Sequence, residues 1–339
     1  MEHLQIAPDR EHFLRDGKPF FWTGDTVWSA FTNPSLEEWE EYLVFRKSQG
    51  FNVLQINTLP QWDRIRPDMG IYPYPIRPDG SMDYTAAPNP AYIERVRQMS
   101  RMAVDAGFTL ALVVCWANIV PGTWLTRTFP EQAWPLSAVE THVHRVVEAF
   151  DEYAPVYIAS GDTDLGEEET IRTYLRCLEL LKADAPGALR SMHLCSEFIG
   201  LTPELADALD FYILQSGHGV NSVNVLEEMP RQMRVRFPGK PILNGEPCYE
   251  RMPKLKIGSD EPPTEIYSAQ EVLDACRRSI LAGARAGITY GANGLWNWCR
   301  EDGKPEGLAA KLYQQPITWR EAMHLPGAAR IAELKELAY

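Results

Sequence analysis

The chain has 339 residues, of which 45% are hydrophobic and 23% charged, and it carries a net charge of −13 at pH 7. This composition is that of a globular protein, and the length suits one large barrel or two medium domains. The acidic balance disfavours nucleic acid and anionic membrane surfaces as partners, because both select for Lys and Arg. No stretch approaches the roughly 20 apolar residues of a membrane span.

The N-terminus and the cysteines bear on the cellular compartment. Residues 1–5 lack the basic start and apolar run of a secretory signal. The six cysteines are scattered, without Cys-x-x-Cys pairs or zinc spacing. We therefore expect reduced cysteines in a cytoplasmic protein. No Gly-x-Gly-x-x-Gly, phosphate-loop or Gly-x-Ser-x-Gly motif occurs, and we expect no cofactor.

Short apolar runs alternate with amphipathic stretches along the whole chain. The predicted strands are 20–24, 51–57, 108–116, 155–161, 189–194, 209–215, the run before Glu246, and 288–298. The predicted helices are 35–50, 91–106, 138–153, 168–183 and 269–286. This order predicts an α/β fold, a (β/α)8 TIM barrel forming one domain over residues 1–339. We expect the barrel core at about 18–300 and C-terminal helices at 317–339.

Two predicted strands end in a glycine followed by a carboxylate. Asp162 follows the strand 155–161, and Glu246 follows Asn244-Gly245. A residue just past a strand's C-terminal end faces the active-site mouth of a barrel. Cleavage of a glycosidic bond needs a proton donor and a negative charge near the reacting carbon. A single carboxylate in a turn is more often a cap, but this pair predicts a catalytic site.

Further polar and aromatic residues lie at predicted strand ends, where they could bind a sugar. Hydroxyl ligands are expected among Asp25, Asn57, His193, Gln215 and His218, and stacking faces among Trp116, Trp296 and Trp298. A Pro-rich loop at 59–90 is expected over the barrel mouth, because long loops are often functional.

A metal site is not expected. His142 and His144 lie two positions apart on a predicted helix, so their side chains point to different faces. No other histidines or cysteines are spaced as ligands for a metal ion.

Four motifs resemble those of the apiosidase-like glycoside hydrolases, and the resemblance extends from about residue 10 to about residue 330. The motifs are Phe20–Trp28, Gly50–Gln55, Gln215–His218 and Asn244–Glu250. The resemblance implies a TIM barrel of the retaining type, with Asp162 as acid/base and Glu246 as nucleophile. Trp28 and Tyr249, which stand in these motifs, join the expected substrate-binding residues.

The chain departs from that family in two respects. Many relatives are secreted and carry a C-terminal β-sandwich, and neither is expected here. Residues 157–160 read Tyr-Ile-Ala-Ser where a tryptophan and a second glycine are expected before Gly-Asp. We expect a glycosidase acting on a small glycoside or a plant-polysaccharide-derived oligosaccharide. The alternatives are a barrel that binds sugar without cleaving it and a metal-dependent barrel hydrolase or isomerase.

Overall fold

The structure is a computed structural model. It describes residues 2–63, 69–78, 80–220, 225–256, 263–301, 312–314 and 316–339.

A small antiparallel sheet precedes the barrel and was not predicted. Its strands are β1 (Gln5–Ile6), β2 (Phe13–Arg15) and β3 (Lys18–Phe20). Phe13 is fully buried, and its ring meets that of Phe211 edge to face at 5.1 Å. Because Phe211 directly precedes a barrel strand, this sheet covers the N-terminal end of the barrel.

Eight parallel strands form the barrel. They are β4 (Trp22–Thr26), β5 (Val53–Asn57), β6 (Thr109–Trp116), β7 (Val156–Gly161), β8 (Arg190–Ser191), β9 (Tyr212–Gln215), β10 (Ile242–Glu246) and β11 (Gly287–Tyr290). The spatial order is β8-β7-β6-β5-β4-β11-β10-β9, and a parallel bridge between His193 and Ile213 joins the two ends. The predicted TIM barrel is confirmed.

The five helices predicted between the strands are present within a few residues of their predicted bounds. The described helices are α1 (Leu36–Ser48), α2 (Pro90–Asp105), α3 (Trp124–Thr128), α4 (Leu136–Phe150), α5 (Glu168–Asp184), α6 (Pro203–Ala208), α7 (Glu228–Arg236), α8 (Ala269–Ala282) and α9 (Trp319–Met323). Of these, α3, α6 and α7 were not predicted. Short 3-10 helices span Pro130–Gln132, Asp151–Tyr153 and Ile331–Leu337. At α1 the Ser35 hydroxyl accepts the Glu38 amide at 3.2 Å, and the Glu38 carboxylate accepts the Ser35 amide at 2.8 Å. Within the described ranges, no helix is both long and apolar enough to cross a bilayer.

The eighth strand is shorter than predicted. It ends at Tyr290, and residues 291–298 form turns beyond it. The ring of Tyr249 lies so close to Gly291 that a Cβ there would sit 2.2 Å from a ring carbon. Gly294 has φ +104°, a conformation that extended strands do not adopt. Trp296, which was predicted at the end of this strand, therefore lies in a loop beyond it.

A polar layer crosses the barrel interior. The Gln55 side-chain amide donates to the Gly245 carbonyl at 2.9 Å, although β5 and β10 are not neighbours in the sheet. The Thr289 hydroxyl donates to Gln55 Oε1 at 3.1 Å, and the Trp22 indole donates to Thr289 at 3.0 Å. Buried polar groups that are fully hydrogen-bonded hold their partners in one arrangement. This layer fixes the backbone immediately before Glu246.

Candidate active site

A cavity of about 160 Å³ lies at the C-terminal end of the barrel strands. Its wall contains both predicted carboxylates, Asp162 and Glu246. It also contains six of the expected substrate-binding residues: Trp28, Trp116, Gln215, His218, Tyr249 and Trp296. Six further residues of the cavity wall were not predicted as site residues: Gln61, Trp62, Asp63, Trp124, Ser196 and Tyr313.

Glu246, the last residue of β10, is surrounded by nitrogen donors. The Gln215 side-chain amide donates to Glu246 Oε1 at 3.0 Å, and His218 Nε2 lies at 3.0 Å from the same oxygen. His193 Nε2 lies 3.3 Å from Glu246 Oε2 and is fully buried. His193 was expected to bind substrate, but it is fully buried, contacts Glu246 and does not line the cavity.

The tautomer of His218 follows from its second contact. The Tyr249 backbone amide donates to His218 Nδ1 at 3.3 Å, so Nε2 carries the proton in the neutral ring and donates to Glu246. Burial raises the pKa of Glu246, but hydrogen bonds and charge from His193 and His218 outweigh it and bring this pKa to about 2. Glu246 is thus an ionised carboxylate at neutral pH.

The backbone of Glu246 is held by the Asn-Gly turn before it. The Asn244 side-chain amide donates to Ser216 Oγ at 2.9 Å, and its oxygen accepts the Glu246 amide at 3.3 Å. Gly245 has no space for a side chain, because a Cβ there would lie 2.4 Å from Ile213. The strand register shifts between Asn244 and Glu246, an irregularity typical of functional strand ends.

Asp162 follows β7 in a left-handed conformation, with φ +57°. Its carbonyl accepts the Trp124 indole N–H at 2.7 Å. A Cβ on Gly161 would lie 2.2 Å from the Trp116 ring, so glycine allows that indole to lie flat beside Asp162. Burial first, then the negative charge of Glu246, raises the pKa of Asp162 to about 7. Asp162 is the protonated member of the pair at mildly acidic pH.

A third carboxyl group, Asp63, lines the same cavity. It is only 8% exposed, and the Tyr313 hydroxyl donates to Asp63 Oδ2. Burial raises the pKa of Asp63 to about 6, and the charge of Glu246 adds to this shift. Asp63 lies in the loop 59–90 that was expected over the barrel mouth, but no periodic pattern singles it out within that loop.

Several buried polar atoms in the cavity wall have no protein partner. These are Trp116 Nε1, Trp296 Nε1, Ser196 Oγ, Gln215 Oε1 and Asp63 Oδ1. Buried donors and acceptors in folded proteins are nearly always paired. Two N–H donors, two acceptor oxygens and a hydroxyl around one small cavity match the hydroxyl groups of a sugar.

Asp25 is not in the cavity, and the structure corrects its assignment as a sugar ligand. Its carboxylate is fully buried behind the barrel, 2.7 Å from Arg46 Nε and 2.7 Å from the Tyr42 hydroxyl, both on α1. Asp25 lies inside β4, where successive side chains alternate between faces, and its own side chain faces the helices.

Asn57 and Trp298 are also placed away from the cavity. The Asn57 amide donates to Gln61 Oε1 at 2.9 Å, so Asn57 positions a cavity residue and does not line the cavity itself. The Trp298 ring stacks on Trp319 at 4.7 Å within the aromatic core.

The histidine pair on α4 diverges as the helical spacing predicts. His142 Nε2 meets the Val114 carbonyl at 3.0 Å in the interior, whereas His144 pairs with Asp184 at the surface. In the part of the chain that the structure describes, no three His, Cys, Asp or Glu side chains are grouped so as to hold a metal ion.

Comparisons with known proteins identify the family and the fold of the chain. A family model described as "Apiosidase-like, catalytic domain" matches residues 8–339. The fold superposes on a glycoside hydrolase family 5 protein from Bacteroides vulgatus with a TM-score of 0.80 and 18% identity, covering 99% of this chain and 71% of that chain. A family 5 mannosidase from Rhizomucor miehei gives a TM-score of 0.66 and 13% identity, covering 99% of this chain and 97% of that chain.

Another solved structure, described only as a glycoside hydrolase, superposes with a TM-score of 0.77 and 19% identity over 99% of this chain and 74% of that chain. At such identities, superposition shows a shared barrel fold. No curated protein matches the chain. The family model covers nearly the whole sequence, and the chain therefore belongs to the apiosidase-like glycoside hydrolases.

Proposed function

We propose that the enzyme cleaves a glycosidic bond with net retention, using Glu246 as nucleophile and Asp162 as general acid and base. The observation that carries this proposal is that two carboxyl groups line one cavity in opposite surroundings: Gln215 and His218 donate to Glu246, whereas Asp162 is buried beside that charge. The pKa of Glu246 is brought to about 2, and that of Asp162 is raised to about 7. Environments that separate the pKa values of two titratable groups mark the acid and the base or nucleophile.

In the first step, a Glu246 carboxylate oxygen bonds to the anomeric carbon while the bond from that carbon to the leaving oxygen breaks. Asp162 donates its proton to the leaving oxygen, so the aglycone departs as a neutral alcohol. In the second step, Asp162 takes a proton from water as the water oxygen attacks the anomeric carbon. The bond from that carbon to Glu246 breaks in the same step, which regenerates the carboxylate and the protonated acid.

The donors around Glu246 suit this role. Gln215 and His218 donate to Glu246 Oε1, and His193 Nε2 lies 3.3 Å from Oε2, which keeps the carboxylate ionised before attack and stabilises it as it leaves. The same contacts restrict rotation of the carboxylate.

The size of the cavity fits one terminal sugar of the substrate. Its volume of about 160 Å³ is small for a ligand site, since pockets for drug-sized ligands typically span about 300–1,000 Å³. The partnerless indole N–H groups and the Asp63 oxygen would bind hydroxyls of that sugar. A small glycoside or an oligosaccharide attacked from its end fits this arrangement.

A panel of 4-nitrophenyl furanosides and pyranosides tests the proposal. The Glu246→Gln variant should lose turnover by at least about 10⁴-fold, because it removes the nucleophile. Asp162→Asn should lose far more activity on substrates with poor leaving groups than on activated aryl glycosides, which need little protonation. The anomer first released, followed by NMR, should match that of the substrate. An inverted product would remove Glu246 from the nucleophile role.

Two other outcomes would favour the alternatives. Binding of sugars without turnover of any substrate would indicate a sugar-binding barrel. Activity lost with a chelator and restored by one added divalent ion would indicate a metal-dependent enzyme.

A further inference from the structure

A second depression lies next to the active-site cavity and has no assigned role. Its volume is about 390 Å³, and its walls come from the loop after β5 and the segment between β6 and α4. Trp62 lines both this groove and the active-site cavity, so the two spaces share one wall.

The groove lies on the side of the cavity that holds Asp162. The Trp124 indole donates to the Asp162 carbonyl at 2.7 Å, and the Trp124 ring meets Trp62 edge to face at 5.9 Å. The groove-forming loops follow β5 and β6, and β6 is the neighbour of β7, after which Asp162 is the next residue. Glu246 is the last residue of β10, a strand that is not adjacent to β5, β6 or β7. Because a general acid protonates the leaving oxygen, the leaving group departs towards the acid.

The lining of the groove combines aromatic faces with amides. Tyr84 and Trp134 pack at 4.7 Å with 33° between their planes. Beside them, the Asn118 side-chain amide donates to Gln132 Oε1 at 3.1 Å. This bond uses one of the two Asn118 N–H groups and leaves the Gln132 amino group able to donate. Flat aromatic surface beside paired amides suits a sugar ring, which presents C–H groups on its faces and hydroxyls at its edge.

We infer that this groove binds the leaving-group side of the substrate and that its occupant is a second sugar residue. The inference rests on the proposed retaining glycosidase. It makes the natural substrate a disaccharide or longer oligosaccharide, with the terminal sugar in the cavity and the next sugar beyond Trp62. Two polar side chains, Arg77 and Gln132, border that position, and Arg77 is fixed by its 2.8 Å ion pair with Asp83.

The test compares three substrates that share whichever glycone the wild-type enzyme accepts. A glycosyl fluoride places a single atom on the leaving side, a 4-nitrophenyl glycoside places an aryl ring there, and a disaccharide places a sugar there. The variants are Tyr84→Ala and Gln132→Ala. Tyr339→Ala and Gln270→Ala serve as matched controls, because both residues are exposed and outside both spaces.

The measured quantity is kcat/KM for the disaccharide divided by kcat/KM for the fluoride. We expect this ratio to fall about 10-fold in Tyr84→Ala, from loss of the aromatic face. In Gln132→Ala it should fall about 3-fold, from loss of one hydrogen bond. The controls should keep the wild-type ratio. Thermal unfolding of each variant reports whether it is folded.

The other outcomes are distinct. A wild-type enzyme that hydrolyses none of the three substrates would end the proposed function itself. If wild type is active but the ratio does not move in either groove variant, the groove does not bind the second sugar. A loss on the nitrophenyl glycoside larger than that on the disaccharide would identify an aromatic aglycone and overturn the sugar assignment.

Discussion

His218 Nε2 donates to Glu246 Oε1 at 3.0 Å, and the proton it donates is fixed by the backbone. The Tyr249 amide occupies the other ring nitrogen at 3.3 Å, so the neutral imidazole presents an N–H to the carboxylate. Tyr249 belongs to the segment after Glu246, and the backbone that presents the carboxylate therefore also orients its donor. The hydrogen bond from the oriented imidazole helps to keep the pKa of Glu246 low although the site is buried.

The opposite pKa shifts predict the pH dependence of activity. The active form has Glu246 ionised and Asp162 protonated. Below its pKa of about 7, Asp162 keeps its proton, so kcat/KM should be flat in mildly acidic buffer and fall tenfold per pH unit above about 7. Asp162→Asn, assayed on an activated aryl glycoside, should lack this fall. A wild-type rate that rises through pH 7 would contradict an acid role for Asp162.

Asp63 gives a control for that profile. Its charge contributes to the raised pKa of Asp162, so Asp63→Asn should move the fall of kcat/KM to lower pH. Loss of the fall altogether would mean that Asp63, and not Asp162, sets it.

Removing the His218 donor should free the Glu246 carboxylate from its fixed position. His218→Ala should raise the pKa of Glu246, moving the acidic limb of the pH profile upwards. A more basic carboxylate is intrinsically the better nucleophile, so the loss expected in kcat/KM, up to about 100-fold, comes from lost positioning of the carboxylate. His324→Ala is the matched control, because His324 packs on Phe45 outside the cavity. A lower rate with an unmoved acidic limb would assign His218 to sugar binding alone.

Two nearly identical tetrapeptides show where the sequence stopped being informative. Residues 23–26 read Thr-Gly-Asp-Thr, and residues 160–163 read Ser-Gly-Asp-Thr. Asp25 is still within β4, whereas β7 ends at Gly161, one residue before Asp162. Side chains alternate between the two faces of a strand, so the point at which each strand ends determines which way the carboxylate points. The left-handed conformation at Asp162 depends on tertiary contacts, and no local sequence pattern predicts it.

The eight strands, most of the helices and the positions of Glu246, Gln215 and His218 followed from apolar runs and the residues that end them. Asp63 and Tyr313 could not be found in this way. Both lie outside the barrel strands and far apart in the chain, and a hydrogen bond joins them in the cavity wall. Pairings of this kind depend on how loops fold over the barrel, and periodicity carries no information on them.

Asp25 should matter for stability and not for chemistry. Its ion pair with Arg46 is fully buried on both sides. Removing one partner of a buried pair leaves an uncompensated charge and costs about 3–5 kcal/mol. Asp25→Ala should lower the free energy of unfolding by this amount in urea titrations, with kcat/KM of the folded fraction close to wild type. A large loss of kcat/KM with unchanged unfolding would restore Asp25 to the site.

Asp162→Asn should have the opposite effect on stability, and the effect should depend on pH. Burial raises the pKa of Asp162 from 3.8 to about 7 in the folded protein. Between these two values the folded state binds more protons at this residue than the unfolded state, so its contribution to stability is lost as the pH rises towards 7. Asparagine does not ionise and avoids that loss. The variant should therefore exceed wild type in Tm by more at pH 8 than at pH 5.

Glu246→Gln is the contrasting variant. The Glu246 carboxylate has a lowered pKa and favourable partners, so its removal should lower stability at both pH values. If Asp162→Asn gave the same Tm difference at pH 5 and pH 8, the acid proposed for catalysis would not be the group with the raised pKa.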